Sequence, residues 1–169
     1  MHTEGLDEFN AKFIIYQILQ AVQYLHSRDI IHRDLKVCSP THCSTDQPKL
    51  ENILLDRPMT PAVITLTDFG LARKLPLPPR KLRYYCGTLE FLAPEMVRLD
   101  PASENRAKAP GYGKEVDIWA VGAISHAVMS GNLPIQGNSR ARLFQSILRD
   151  GLFFGSEWRG KSDGGMFPR

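Results

Sequence analysis

The stretch from His32 to Asn52 constrains this chain more than any other. It follows the apolar pair Ile30-Ile31, opens as His32-Arg33-Asp34-Leu35-Lys36, and closes as Glu51-Asn52 against Ile53-Leu54-Leu55. Two sets of ionic and amide side chains are thus each tethered to a short apolar run. Thirteen residues, Val37 to Lys49, part the two sets, and Leu50 follows them. Such an insertion is expected to separate Asp34 from Asn52, and small displacements of reacting groups are costly.

With 169 residues the chain is long enough for one domain with a core, and at 43% hydrophobic and 23% charged it reads as globular. A net charge of +3 is too small to argue for nucleic acid or a membrane surface as partner. No apolar run reaches bilayer length, and Met1-His2-Thr3-Glu4 lacks a signal-peptide pattern. Three cysteines make no disulfide framework, which points to a reducing compartment, cytoplasmic or nuclear. Cys38 and Cys43 with His42 offer three ligands and no nearby fourth, too few for a zinc site.

Asp7 to His26 has helical periodicity, with Asp7 as N-cap. Its apolar residues form two sets, Phe9, Phe13, Tyr16 and Ile14, Ile18, Val22, Leu25, so burial is expected around most of the circumference. His26 is read as a packed or capping histidine, not a ligand. Ile53-Leu54-Leu55 and Val63 to Thr67 form a small hairpin running into Asp68-Phe69-Gly70. A carboxylate at a strand end before a glycine suits metal coordination near phosphate oxygens, although Asp-x-Gly also makes ordinary turns. Leu71 to Tyr85 is basic and proline-rich and reads as a long surface loop with little to bury. Met96-Val97 is a helical turn, and Asp100 to Pro110 a mobile polar loop. Val116 to Ser130 is a buried helix stopped by Gly131, and Ser139 to Arg149 an amphipathic one. The tail from 159 to 169 lacks periodicity and is expected to be disordered.

H-R-D-L-K, E-N, D-F-G, Gly87-Thr88 and Ala93-Pro94-Glu95, in this order, resemble the catalytic domain of eukaryotic serine/threonine protein kinases across about Leu6 to Trp158. Pro110 to Trp119 and Phe154 to Trp158 look most like the calcium/calmodulin-dependent group, with the phosphorylase kinase catalytic subunit and the checkpoint kinases as comparisons. The resemblance implies a mainly α fold: a kinase-like C-terminal lobe, a helical bundle with a β-hairpin at the catalytic loop. It spans 1–158, with an insertion at 37–49 and the N-terminal β lobe absent.

The resemblance also implies roles. Asp34 would deprotonate the substrate hydroxyl, and Lys36 would neutralise γ-phosphate charge. Thr88 would bridge these two. Asn52 and Asp68 would hold magnesium, and with Leu54 and Gly70 would form the ATP site. Glu51 would face a basic substrate side chain. Asp117 would hold the His32-Arg33 backbone, with Phe69 also structural, and Glu95 would pair with a distal arginine. Arg33 would answer a phosphorylated residue in the activation loop, yet no serine or threonine lies between Asp68 and Thr88, and Tyr84 stands near that place. The partners implied are protein substrates bearing Ser or Thr, with a regulatory partner unspecified.

No G-x-G-x-x-G loop occurs in the 169 residues, so the expectation is a partial domain, inactive by itself. A non-catalytic kinase-like binding module is the alternative. The insertion has two readings. A translated intron is favoured, because Val codons begin GT, a Lys codon ends AG, and Gly160-Lys161-Ser162 can encode a splice donor. The rival is a true loop insertion, tolerable because closure entropy grows slowly with length.

Overall fold

A computed structural model describes residues 6–37, 52–55, 63–78 and 80–149. The expectations for Glu51, for the insertion beyond Val37, for Phe154 to Trp158 and for the tail lie outside the described residues. The described chain is mainly α, as expected, with two short β-ribbons where one hairpin was expected.

Helix α1 spans Glu8–Ser27. Its N-cap is Asp7, whose carboxylate accepts from the Asn10 N–H at 3.1 Å. The backbone and side-chain donors of Asn10 hold that carboxyl below its usual range. Only one of the two apolar sets is buried. Ile14, Ile18, Val22 and Leu25 face inward with Ala11, whereas Phe9 is 73% exposed and Tyr16 61% exposed. The expectation of burial all round therefore fails. A 3.6-residue helix meets the core along one stripe, and the second set lies on the far side of it.

Strand β1 (Ile30–Ile31) pairs antiparallel with β4 (Arg73–Lys74), and β2 (Ile53–Leu55) with β3 (Ile64–Leu66). The second pair is the expected hairpin. The first is a correction to the reading of Leu71 to Tyr85 as loop throughout. Its backbone pairs although Arg73 and Lys74 are exposed, and Leu75 is buried with its N–H on the Asp29 carbonyl at 2.7 Å. Main-chain pairing asks nothing of the side chains there.

Helix α2 is the short Pro94–Val97, α3 runs Glu115–Ser130, and α4 runs Arg140–Arg149. Gly131, at φ +73, ends α3 in the left-handed cap that glycine favours. Two cores meet along α3. Ala120, Ala123 and Ile124 pack with α1 and with Leu35, Val37 and Ile53. Val116 belongs to the second core, with Leu92, Met96, Tyr112, Leu143 and Ile147. Burying each Leu, Ile or Val side chain is worth roughly 1.5–3 kcal/mol, so α3 is the element on which both cores depend. The 100–110 segment is more tied down than its polarity implied. Asp100 is buried and pairs with Arg140, while Arg83 donates to the carbonyls of Arg106, Ala107 and Ala109.

Candidate active site

The site begins with a buried carboxylate. Asp117, in the first turn of α3, is 1% exposed. Its Oδ1 accepts from the Arg33 N–H and its Oδ2 from the His32 N–H, both at 2.9 Å. His26 Nε2 lies 2.8 Å from the same Oδ2. A carboxylate near a helix N-terminus is favoured by the helix dipole, and charge-assisted bonds to backbone N–H groups are among the stronger ones. Here they hold Arg33 at φ +69, a left-handed conformation that costs a non-glycine residue about 1 kcal/mol or more.

The His32 ring is fully buried. The Asp34 N–H donates to His32 Nδ1 at 3.4 Å, which leaves the ring proton on Nε2, 3.1 Å from the Thr67 carbonyl. The ring centroid also lies 5.0 Å from that of Phe69. One imidazole thus ties the His32 loop to the Asp68-Phe69-Gly70 turn.

Asp34 follows with both carboxylate oxygens engaged. Thr88 donates to Oδ1 twice, from its N–H at 2.9 Å and its hydroxyl at 2.7 Å. This approach depends on Gly87, whose φ is +102 and where a Cβ would stand 2.7 Å from the Arg33 carbonyl. Oδ2 accepts from Asn52 Nδ2 at 3.1 Å and lies 3.6 Å from Lys36 Nζ.

Asn52 overturns the expectation that the insertion parts it from Asp34. Its Nδ2 also donates to the Asp34 carbonyl at 2.8 Å, and its own carbonyl accepts from the Thr67 N–H at 2.9 Å. The reason lies at the two ends of the insertion. Val37 is buried on one side and Ile53 on the other, in the same core beside Leu35, so packing fixes both ends whatever lies between. The entropy of closing a longer loop is small beside that burial.

Asp68 sits past β3, at φ +57, with Oδ1 accepting from the Gly70 N–H at 3.2 Å. The hairpin register pairs Ile53 with Leu66 and thereby places Asn52 beside Thr67, one residue from Asp68. Asn52 commits its amide nitrogen to Asp34, among the described residues its Oδ1 takes no hydrogen bond, and Asp68 adds an exposed carboxylate one residue past Thr67. Two hard oxygen donors on adjoining positions could hold magnesium, which keeps several waters and takes phosphate oxygens as further ligands. Leu54 lies on β2 opposite Thr65. Glu95 is half-buried in α2 and forms no ion pair among the described residues.

Two members of this constellation were not found from sequence. His26 was read as packing and meets Asp117, 91 residues away. Tyr112 accepts from Arg33 Nη1 at 3.0 Å across 79 residues. No local pattern marks such partners.

Residues 2–161 match the protein kinase domain family, and the chain belongs to it. It is 37% identical over 160 residues to the liver/testis isoform of the phosphorylase b kinase gamma catalytic chain of Bos taurus, covering 94% of this chain and 34% of that one. It is 43% identical over 129 residues to the meiosis-specific serine/threonine-protein kinase mek1 of Schizosaccharomyces pombe, 75% of this chain and 26% of the other. With the human RAC-beta serine/threonine-protein kinase it shares 33% identity over 147 residues, covering 87% and 25% respectively. The chain spans about a third or less of the length of these curated relatives. By family it is a serine/threonine protein kinase domain, related to the calcium/calmodulin-dependent group that its motifs resemble. Among the described residues no helix is long and apolar enough to cross a membrane.

Proposed function

We propose that these residues form the C-terminal lobe of a kinase that transfers the γ-phosphoryl group of ATP to serine or threonine hydroxyls of proteins. The observation that carries this reading is the Asp34 carboxylate, reached from one side by Thr88 and from the other by Asn52. Thr88, with two donors on Oδ1, fixes the rotation of the carboxylate, so that Asp34 is aimed to accept the proton of an incoming hydroxyl. Lys36, beside Oδ2, supplies positive charge where the transferred group gains negative charge. Asn52 and Asp68 would hold magnesium, which bridges and neutralises the phosphates when bound. Leu54 and Gly70 would line the nucleotide, and Glu51 would meet a basic side chain of the substrate. A purely binding module has no chemical use for Asp34, Lys36, Asn52 and Asp68 together.

Positioned charge supplies most of the catalysis in phosphoryl transfer, so a half-walled nucleotide site is expected to fail. The 169 residues carry no G-x-G-x-x-G loop, and the isolated polypeptide is therefore expected not to transfer phosphate. The setting that suits this chemistry is cytoplasmic or nuclear. The test is a thermal-shift titration with magnesium and ATP. The wild-type midpoint should rise with ligand, and that of Asp68→Ala should not. A wild-type midpoint unmoved at millimolar magnesium and ATP would favour the binding module. Phosphorylation of a peptide by the purified 169-residue chain would contradict the half-site reading.

A further inference from the structure

Two of the five N–H donors of the Arg33 guanidinium are engaged among the described residues. Nε donates to the Leu71 carbonyl at 2.6 Å, and Nη1 donates to the Tyr112 hydroxyl at 3.0 Å. Tyr112 is fully buried, and its hydroxyl in turn donates to the Tyr84 carbonyl at 2.7 Å. Burial pushes the Tyr112 phenol up to about 12, so the proton needed for that second bond is kept at any ordinary pH. The backbone repeats the tie. Tyr112 and Leu82 exchange two N–H to carbonyl bonds of 2.8 Å each. Gly111 permits this approach, since at its φ of +80 a Cβ would lie 2.6 Å from the Leu82 carbonyl.

The Tyr84 side chain takes no part in this chain of bonds and is 67% exposed. Beyond it the segment passes Gly87 and delivers Thr88 to Asp34, so whatever orders residues 82–88 also orders the contact with the proposed base. Residues 69–87 contain no serine or threonine to carry a phosphate.

We propose that Tyr112 is a positioning residue: its buried hydroxyl joins Arg33 to the Tyr84 carbonyl and orders residues 82–88 against the His32 loop without any covalent modification. The proposal rests on reading residues 32–36 and 68–88 as catalytic loop and activation loop. It ties Arg33 Nη1 to a phenol, so ordering of the segment needs no incoming anion, which a phosphate-dependent switch requires.

Amide hydrogen exchange by mass spectrometry tests this on the 169-residue protein, shown phosphate-free by intact mass and measured without nucleotide. Peptides spanning 82–88 should exchange slowly in the unmodified wild type and about tenfold faster in Tyr112→Phe, with α1 unchanged. Phenylalanine keeps the ring and its packing, so a purely packing role would leave 82–88 as slow as before. That result overturns the proposal, as does wild-type exchange that is fast until a tyrosine is phosphorylated. If Tyr112→Phe gives no folded protein by circular dichroism, Arg33→Gln enters the relay from its other end. The same local acceleration is then expected, and unchanged exchange contradicts it. Since no nucleotide is present, failure here is separate from failure of the magnesium and ATP titration.

Discussion

The His32 loop and the basic segment from Arg73 to Arg83 lie against each other, yet they are held by different means. The loop alternates buried and half-buried residues, and its His32 and Arg33 N–H groups both hang on one carboxylate, that of Asp117, with His26 behind it. The basic segment is largely exposed and is held by scattered anchors. These are a two-residue ribbon, buried Leu75, the Leu82 pairing with Tyr112, the Lys81 pair with Glu115, and the Arg83 bonds to the carbonyls of 106–109. Two adjacent backbone groups of the loop converge on one buried side chain, whereas the anchors of the segment are divided among several residues. A single change should therefore be severe in the first region and mild in the second.

Asp117→Ala should be the most damaging change. It leaves the buried His32 N–H, the half-buried Arg33 N–H and His26 without their acceptor, and loss of one partner from a buried charged network costs about 3–5 kcal/mol. Urea unfolding should show this as a midpoint shift at unchanged slope. A cost below about 1 kcal/mol would place the support of the loop elsewhere.

Gly87→Ala comes next. At φ +102, with the Arg33 carbonyl 2.7 Å from the new Cβ, the chain must either strain by about 1–3 kcal/mol or draw back. Drawing back would remove Thr88 from Asp34, which amide exchange at Thr88 reads directly. An unchanged Thr88 amide together with unchanged stability would contradict the close approach.

The smallest effect is expected at the pair of Asp29 and Lys114, whose atoms lie 2.7 Å apart at the surface. The bond from Lys114, then its charge, holds the Asp29 carboxyl below its usual value of 3.8. A carboxyl with a lowered folded value stabilises the protein above its unfolded value, and that contribution is lost as pH falls through the lowered one. Wild type and Asp29→Asn should accordingly differ slightly at neutral pH and converge below about pH 4. A difference that widens on acidification would reverse the sign.

The long helices and the hairpin were legible in the sequence because each is a periodic or continuous apolar run bounded by capping or turn residues. The β1–β4 ribbon was not, since two residues a side carry no period and Arg73 and Lys74 look like loop. In α1 the sequence held both apolar sets, but which one meets the core depends on where α3 lies. The identities of Asp34, Asn52, Asp68 and Thr88 were legible as motifs. The meeting of Asn52 with Asp34 across the insertion was not, because it depends on Val37 and Ile53 entering one core from its two ends. His26 and Tyr112 stayed hidden for a related reason. Their partners are set by the packing of α1 and of the 82–88 segment against residues far along the chain.

In the proposed function Asn52 and Asp68 share one metal and nucleotide site beside Asp34 despite the thirteen intervening residues. Manganese is paramagnetic, and its complex with ATP broadens NMR signals close to where it binds. Titrated into isotopically labelled protein, it should selectively broaden the Asn52 side-chain amide and the Gly70 amide, and Asp68→Ala should abolish the effect. Broadening that spares Asn52, or that survives Asp68→Ala, would contradict a shared site.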